Sequence, residues 1–250
     1  MKKSIEFDVV ADLYDYYVKT DMDIGFYLDL CKGHQNILEL MCGTGRVSLP
    51  LMREGFRLTC VDYAAGMLEV FRSKLKESDR VEIICQDICS LILKEKYDLV
   101  FIPFNSIAEI TDNRKRKQAF ERIYEHLLPN GLFFCSLYNP AYRIKSADGN
   151  LKLLGRFKMD SNRILIASYC NTYSDKEKNI GGVQFYEIFD EHNRMIEKRM
   201  LDICFSVISQ DEMSEMARSV GFTVKAIYGD YKMRQFSPES QFMNFIFHKA

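Results

Sequence analysis

The stretch ILELMCGTGRVSLPL, residues 37–51, begins as an apolar strand and ends as the start of a helix. Between the two lie an acid, Glu39, and two glycines, Gly43 and Gly45. A glycine turn behind a first strand lets backbone approach a ligand, and the helix N-terminus beyond it favours anionic groups. A lone G-x-G serves several cofactors, so the rest of the chain has to choose among them. The dinucleotide fingerprint G-x-G-x-x-G fails, because Ser48 stands three residues after Gly45. The acid ahead of the turn is unwelcome beside a pyrophosphate and suits a ligand with a cationic amino group.

Outward from this turn, apolar runs alternate with helical segments from residue 36 to about 140. Strands are expected at 36–41, 56–61, 80–85, 97–102 and 131–138, with helices at 45–54, 64–76 and 112–127. The strands are near-continuously apolar, as in a sheet covered on both faces. LLPNG (127–131) is expected to end its helix in a turn and launch the next strand. Such alternation implies right-handed crossovers and an α/β fold with a doubly wound, Rossmann-like sheet. Residues 150–207 break the rhythm with runs at 163–173, 181–190 and 195–208. Gly181-Gly182 and DEHNR (190–194) read as reversals, so an inserted antiparallel meander is expected. Ser209 and Glu212 are spaced as a capping box, and Gly221 is placed to stop the helix that follows. Runs at 222–228 and 241–249 are expected to pair as a hairpin.

The strand tips carry the chemistry. The second strand ends in Asp62, an acid able to accept both hydroxyls of a ribose. The third ends in CQDIC, which puts Asp87 and neighbouring backbone donors where an adenine edge fits. The fourth ends in PFNS (103–106), across the crevice from the first. Ligands of open parallel sheets bind in that crevice, where strand order reverses.

Composition narrows the class. The 250 residues suit one α/β domain with an insertion, and the net charge of −1 gives no global pull toward nucleic acid or acidic lipid. The basic cluster DNRKRKQ (112–118) opens a helix and reads as a solvated face. Eight cysteines without a Cys-x-x-Cys give no support to zinc or thioredoxin-like chemistry, so no metal is expected. Thiols inside apolar runs suit a reducing compartment. MKKSIEFDVV has no apolar stretch behind its lysines, and no run is long enough to cross a bilayer. A cytoplasmic protein that binds no membrane is the expectation.

Taken together, these segments resemble the class I S-adenosylmethionine-dependent methyltransferases of the small-molecule branch. ELMCGTGR resembles the family's first motif, VDYAAGML the second, CQDI the third, YDLVFIPFNSI the fourth and HLLPNGLFF the fifth. GFTVKAIYGDY with SPES resembles the closing hairpin, and YDYY (14–17) with DIGFYLDL (23–30) resembles helices that fold over the cofactor. One departure is Met41, where the family usually has a small residue.

The resemblance implies a seven-stranded sheet with its last strand antiparallel. It also implies a helical lid at 1–35, a cofactor domain at 36–149 and 209–250, and an inserted sheet at 150–208 that roofs the pocket or pairs subunits. It implies S-adenosylmethionine as cofactor and S-adenosylhomocysteine as product. Glu39 is then expected at the amino end, with Met41, Cys42, Gly43, Thr44 and Gly45 beside the methionyl and ribose parts. Asp62 takes the ribose, while Tyr63, Met67, Gln86, Asp87 and Ile88 surround the adenine. Phe104 and Asn105 line the crevice near the sulfonium, and Tyr14 covers the methionyl carboxylate. Tyr138, Asn139 and Tyr142 are the expected acceptor contacts; no histidine presents itself as a base, and no catalytic residue is assigned.

The expected reaction is in-line methyl transfer to nitrogen or oxygen of a small molecule, by a monomer or homodimer. An RNA or protein methyltransferase and a non-catalytic binder of the cofactor stay open as alternatives, as does a nicotinamide oxidoreductase. IPFNS lacks the acid-or-Asn-Pro-Pro-aromatic pattern common in enzymes that attack base nitrogens, and no basic, aromatic-interleaved groove is visible.

Overall fold

The computed structural model describes residues 5–250. Residues 1–4, the head of the expected lid and of the MKKSIEFDVV segment, lie outside the described residues. Two short helices, α1 (Ala11–Tyr17) and α2 (Ile24–Cys31), come first. Then β1 (Ile37–Leu40), α3 (Ser48–Arg53), β2 (Leu58–Asp62), α4 (Ala65–Ser73), β3 (Val81–Cys85), β4 (Tyr97–Ile102), α5 (Asn113–His126) and β5 (Leu127–Tyr138) follow one another. Helix α6 (Pro140–Ser146) leads into β6 (Asp148–Lys158), β7 (Ile164–Ser174), β8 (Asn179–Phe189) and β9 (Met195–Ser206). Helix α7 (Gln210–Val220) and strands β10 (Phe222–Tyr228) and β11 (Phe242–Lys249) come last.

Seven strands form one sheet in the order β10-β11-β5-β4-β1-β2-β3. Only β11 runs against its neighbours. The α/β class and the antiparallel last strand are as expected. Every residue of β1 and β2 is buried, which explains their largely apolar composition around Glu39, Thr59 and Asp62. One face packs α5 and α7 through Phe120, Ile123 and Met213 onto Phe133 and Phe247. The other packs α2, α3 and α4 through Tyr27, Leu51 and Phe71 onto Phe101 and Phe134. Strand order reverses at β1, which lies between β4 and β2. The carboxyl tips of β4, β1, β2 and β3 therefore stand side by side, spanning about 14 Å at a strand spacing of about 4.8 Å.

A second, antiparallel sheet has the order β6-β7-β8-β9. Its inner face, including Leu165, Tyr186, Ile188 and Leu201, packs on Ile5, Val10 and Leu13. On its other side α1 meets α4, Ala11 packing with Ala64 and Met67. Helix α1 is thus wedged between the two sheets, and Arg199 of β9 ties it by an ion pair with Asp12 at 2.5 Å.

Several local expectations need correction. Strand β5 starts directly after α5, so LLPNG is no free turn. Pairing jumps from Tyr97↔Leu127 to Leu99↔Leu132, and the bulge absorbs Pro129, which has no N–H to give, and Asn130 at φ 62°. Strand β6 was absent from the expected meander: DGNLKLLGRFK is an exposed edge strand without a clean alternation. The Gly181-Gly182 pair lies inside β8, and the chain reverses at 175–178. Gly182 is there for closeness, since a Cβ would stand 2.3 Å from the Cys170 carbonyl oxygen. The capping box on α7 is present, with the Ser209 N–H donating to Glu212 at 2.7 Å. Gly221 ends that helix at φ 113°.

Candidate active site

Strand β1 delivers Glu39 into the interior, 1% exposed. Its Oε2 accepts from the Ser48 hydroxyl at 2.5 Å, and Ser48 is fixed in the first turn of α3. Its Oε1 is buried and has no partner. Burial pushes the Glu39 carboxyl up to about 8, against the opposing pull of the Ser48 bond and the Arg46 charge. The turn beyond it needs left-handed backbone: Met41, Gly43 and Gly45 have φ of 58°, 54° and 79°. Met41 accepts that strain and packs its side chain partly into the core beside the hollow. At Gly45 a Cβ would stand 2.4 Å from the Phe71 ring, so the turn is pressed onto α4. Met67 covers Gly43, its Cε 3.3 Å from where a Cβ would be.

Asp62, 7% exposed, closes the turn from the next strand. Its Oδ2 accepts from the Gly43 N–H at 2.8 Å and its Oδ1 from the Ala64 N–H at 2.9 Å. Burial raises its pKa, and these backbone bonds hold it down. Cys42 is buried, and its N–H donates to the Val61 carbonyl. The Thr44 hydroxyl donates to Asp15 of α1 at 2.6 Å. Tyr63 reaches back to the Ile5 carbonyl at 2.5 Å. On β3's side, the Gln86 N–H donates to the Asp62 carbonyl and its Oε1 accepts from Ile92. Asp87 is exposed, accepts from Cys89 at 2.8 Å, and so caps the short turn in which Ile88 is buried.

After β4, Phe104 and Asn105 both adopt positive φ, 56° and 65°. Two successive non-glycine residues in that region store strain at the crevice. Asn105 is held by its neighbours, accepting from the Tyr138 N–H at 3.0 Å. Over these loops lies α1, with Tyr14 half-buried and its hydroxyl pKa raised by burial. Tyr14, Glu39, Gly43, Thr44, Arg46 and Phe104 enclose a hollow of about 40 Å³. That is far below the roughly 300–1,000 Å³ of common ligand pockets.

Three groups here had no sequence expectation. Arg46 forms a two-pronged pair with Asp23 of the α2 N-terminus, at 2.6 and 2.7 Å, and lies over the Phe104 ring at 4.8 Å. Its position directly after Gly45 was the available signal. Glu109 stands in the short turn after Asn105, its pKa pushed well up by burial and by the Asp62 charge. Arg143, on α6, lies against the Tyr138 ring.

Of the expected acceptor residues, Tyr138 and Tyr142 come together as stacked rings 6.1 Å apart. The Asn139 side chain turns away: it caps α6 through Ala141 and donates to the Pro238 and Ser240 carbonyls. His126 is also engaged, its Nε2 accepting from the Leu93 N–H at 2.9 Å. Among the described residues no group of side chains is arranged to hold a metal ion.

A glycine turn at the switch point of a mostly parallel sheet, with acids on adjacent strands, is the arrangement in which open α/β sheets hold their ligands. Residues 37–131, less than half of the chain, match the methyltransferase domain family. A demethylmenaquinone methyltransferase of Leptospira interrogans is 35% identical over 108 residues, 40% of this chain and 42% of that protein. The chain spans less than half the length of the first curated relatives it matches. Among solved structures, an S-adenosylmethionine-dependent methyltransferase from Clostridium acetobutylicum superposes with a TM-score of 0.82 at 16% identity, covering 98% of this chain and 99% of that one. An amino pentose methyltransferase from Micromonospora echinaspora, solved with S-adenosylmethionine bound, gives a TM-score of 0.73 at 15% identity over the whole of both chains. At such identities the likeness is one of fold.

Proposed function

We propose that the chain transfers the methyl group of S-adenosylmethionine to a nitrogen or oxygen atom of a small molecule and releases S-adenosylhomocysteine. The observation that carries this reading is Glu39, a buried carboxyl whose Oε1 has no hydrogen-bond partner, beside a glycine-floored hollow. A cationic amino group answers that deficit, and a pyrophosphate does not. Of the expected cofactor residues, Tyr14, Glu39, Met41, Cys42, Gly43, Thr44 and Phe104 line the hollow, and the others stand outside its lining. Glu39 takes the amino end, Met41–Gly45 lie beside the tail and ribose, and Asp62 takes the ribose hydroxyls. Tyr63, Met67, Gln86, Asp87 and Ile88 form the adenine end, and Phe104, Asn105 and Tyr14 line the reacting side.

The bound cofactor supplies an already activated sulfonium methyl. The protein's part is alignment of the acceptor and exclusion of water. The strained Phe104–Asn105 turn, anchored through Tyr138, fixes one wall for that alignment. The small volume supports reading the N-terminal segment within 1–35 as a lid over the 36–149 and 209–250 domain. Helix α1 moves aside as the ligand enters. The sheet within 150–208 then roofs the acceptor side or pairs two copies, and its exposed Leu151, Leu153 and Met200 favour a covered outer face. The fold neighbour named for an amino pentose supports an amine acceptor. Eight free cysteines, and no described helix long and apolar enough to cross a membrane, support a cytoplasmic setting.

Incubation with methyl-tritiated S-adenosylmethionine and a cell extract split into small molecules, RNA and protein tests the assignment. Label is expected in the small-molecule fraction. Label in RNA or protein overturns the acceptor class, and no label in any fraction overturns catalysis.

A further inference from the structure

Arg143 lies on α6, four residues past Asn139. Its guanidinium carbon stands 5.2 Å from the centre of the Tyr138 ring and 5.5 Å from that of Phe205. Its Nε is buried with no hydrogen-bond partner. The titratable groups whose charge bears on it are the phenols of Tyr138, Tyr169 and Tyr142, with no carboxylate among them. Arg46 is answered by Asp23 and Arg199 by Asp12, whereas Arg116, whose Nε is likewise buried and unpartnered, bonds the Ile110 carbonyl and Ser206 through its Nη2. A half-buried cation with one N–H shut away from water and no counter-charge is costly to keep, and aromatic faces recover only part of that cost.

Location gives the deficit a meaning. Tyr138 ends β5, and its N–H donates to Asn105 beside the crevice. Phe205 comes from the end of β9, in the inserted sheet. Arg143 therefore stands where the crevice, the tyrosine wall and the inserted sheet meet.

We propose that Arg143 receives an anionic oxygen pair, carboxylate or phosphate, carried by the methyl acceptor. Two parallel N–H···O bonds are the natural contact for a planar guanidinium, and the flanking rings hold its plane. The proposal rests on the methyltransferase reading and narrows the acceptor to a molecule with a methylatable atom at one end and an anion at the other.

Calorimetric titration with benzoate, phenyl phosphate and benzamide, in the presence of saturating S-adenosylhomocysteine, tests it. Wild type is expected to bind one or both anions at least tenfold tighter than the neutral amide, and the favoured anion names the group. Arg143→Gln should lose that preference, Arg143→Lys should keep part of it, and both should bind S-adenosylhomocysteine within twofold of wild type. Equal binding of the three probes by wild type, or an undiminished anion preference in a folded Arg143→Gln, overturns the proposal. Repeating the titration without S-adenosylhomocysteine separates the two readings. A protein that prefers anions yet never binds S-adenosylhomocysteine loses the methyltransferase assignment and keeps the Arg143 site.

Discussion

The two sheets of this molecule are built on opposite terms. In the seven-stranded sheet, β1 and β2 are buried along their whole length, and their tips hold buried carboxylates. In the four-stranded sheet, β6 is almost wholly exposed, and large apolar side chains such as Leu151, Leu153 and Met200 face outward. Tolerance to change should follow that difference. Where backbone and side chain are pressed together to shape a ligand site, a single methyl group matters. Where strands merely cover a neighbour, it matters only where two backbones close up, as at Gly182.

The largest expected effect is on the tight side. Gly45→Ala adds a Cβ 2.4 Å from the Phe71 ring at a φ of 79°. Overpacking and left-handed strain together should cost about 3 kcal/mol, visible as a lower denaturant midpoint. A variant as stable as wild type breaks the comparison at its strongest point.

A middle-sized effect concerns pH. Burial pushes the Glu39 carboxyl up to about 8 in the folded protein, above the ordinary value of about 4.3. Between those values the native state holds a proton that the unfolded chain has lost, so stability falls as pH rises from about 4.5 to 8. Melting scans should show the melting temperature declining over that window. Glu39→Gln, which cannot titrate, should flatten this component; an unchanged slope in the variant assigns the dependence to other groups.

The smallest effect belongs to the open sheet. A Cβ added at Gly181 would meet nothing within 4 Å, and the backbone there is ordinary. Gly181→Ala should shift stability by no more than about 0.5 kcal/mol in either direction. A loss comparable to that of Gly45→Ala erases the distinction between the sheets.

Legibility in the sequence divides along the same line. Buried parallel strands are largely apolar, so β1, β2 and β4 stand out, and the acids Glu39 and Asp62 interrupt the pattern conspicuously. Asp62 and Glu39 were readable for that reason. Strand β6 was not, because an exposed edge imposes no apolar period on DGNLKLLGRFK. Gly181-Gly182 looked like a turn because glycine's two uses, reversal and close approach, are identical in one dimension. Asn139 looked like an acceptor contact, yet its amide serves the 238–240 loop, about a hundred residues away in sequence. Arg46 with Asp23 and Arg143 with Phe205 are likewise products of distant segments meeting, which no local spacing announces.

The central claim is that the loops after β1 and β2 bind an adenosyl ligand whose amino end meets Glu39 and whose ribose meets Asp62. Titration calorimetry of wild type and Asp62→Ala with S-adenosylhomocysteine and with NAD tests it most directly. The account predicts saturable binding of S-adenosylhomocysteine alone, at least tenfold weaker in Asp62→Ala. Binding of NAD in its place, or an Asp62→Ala protein with wild-type affinity, contradicts it.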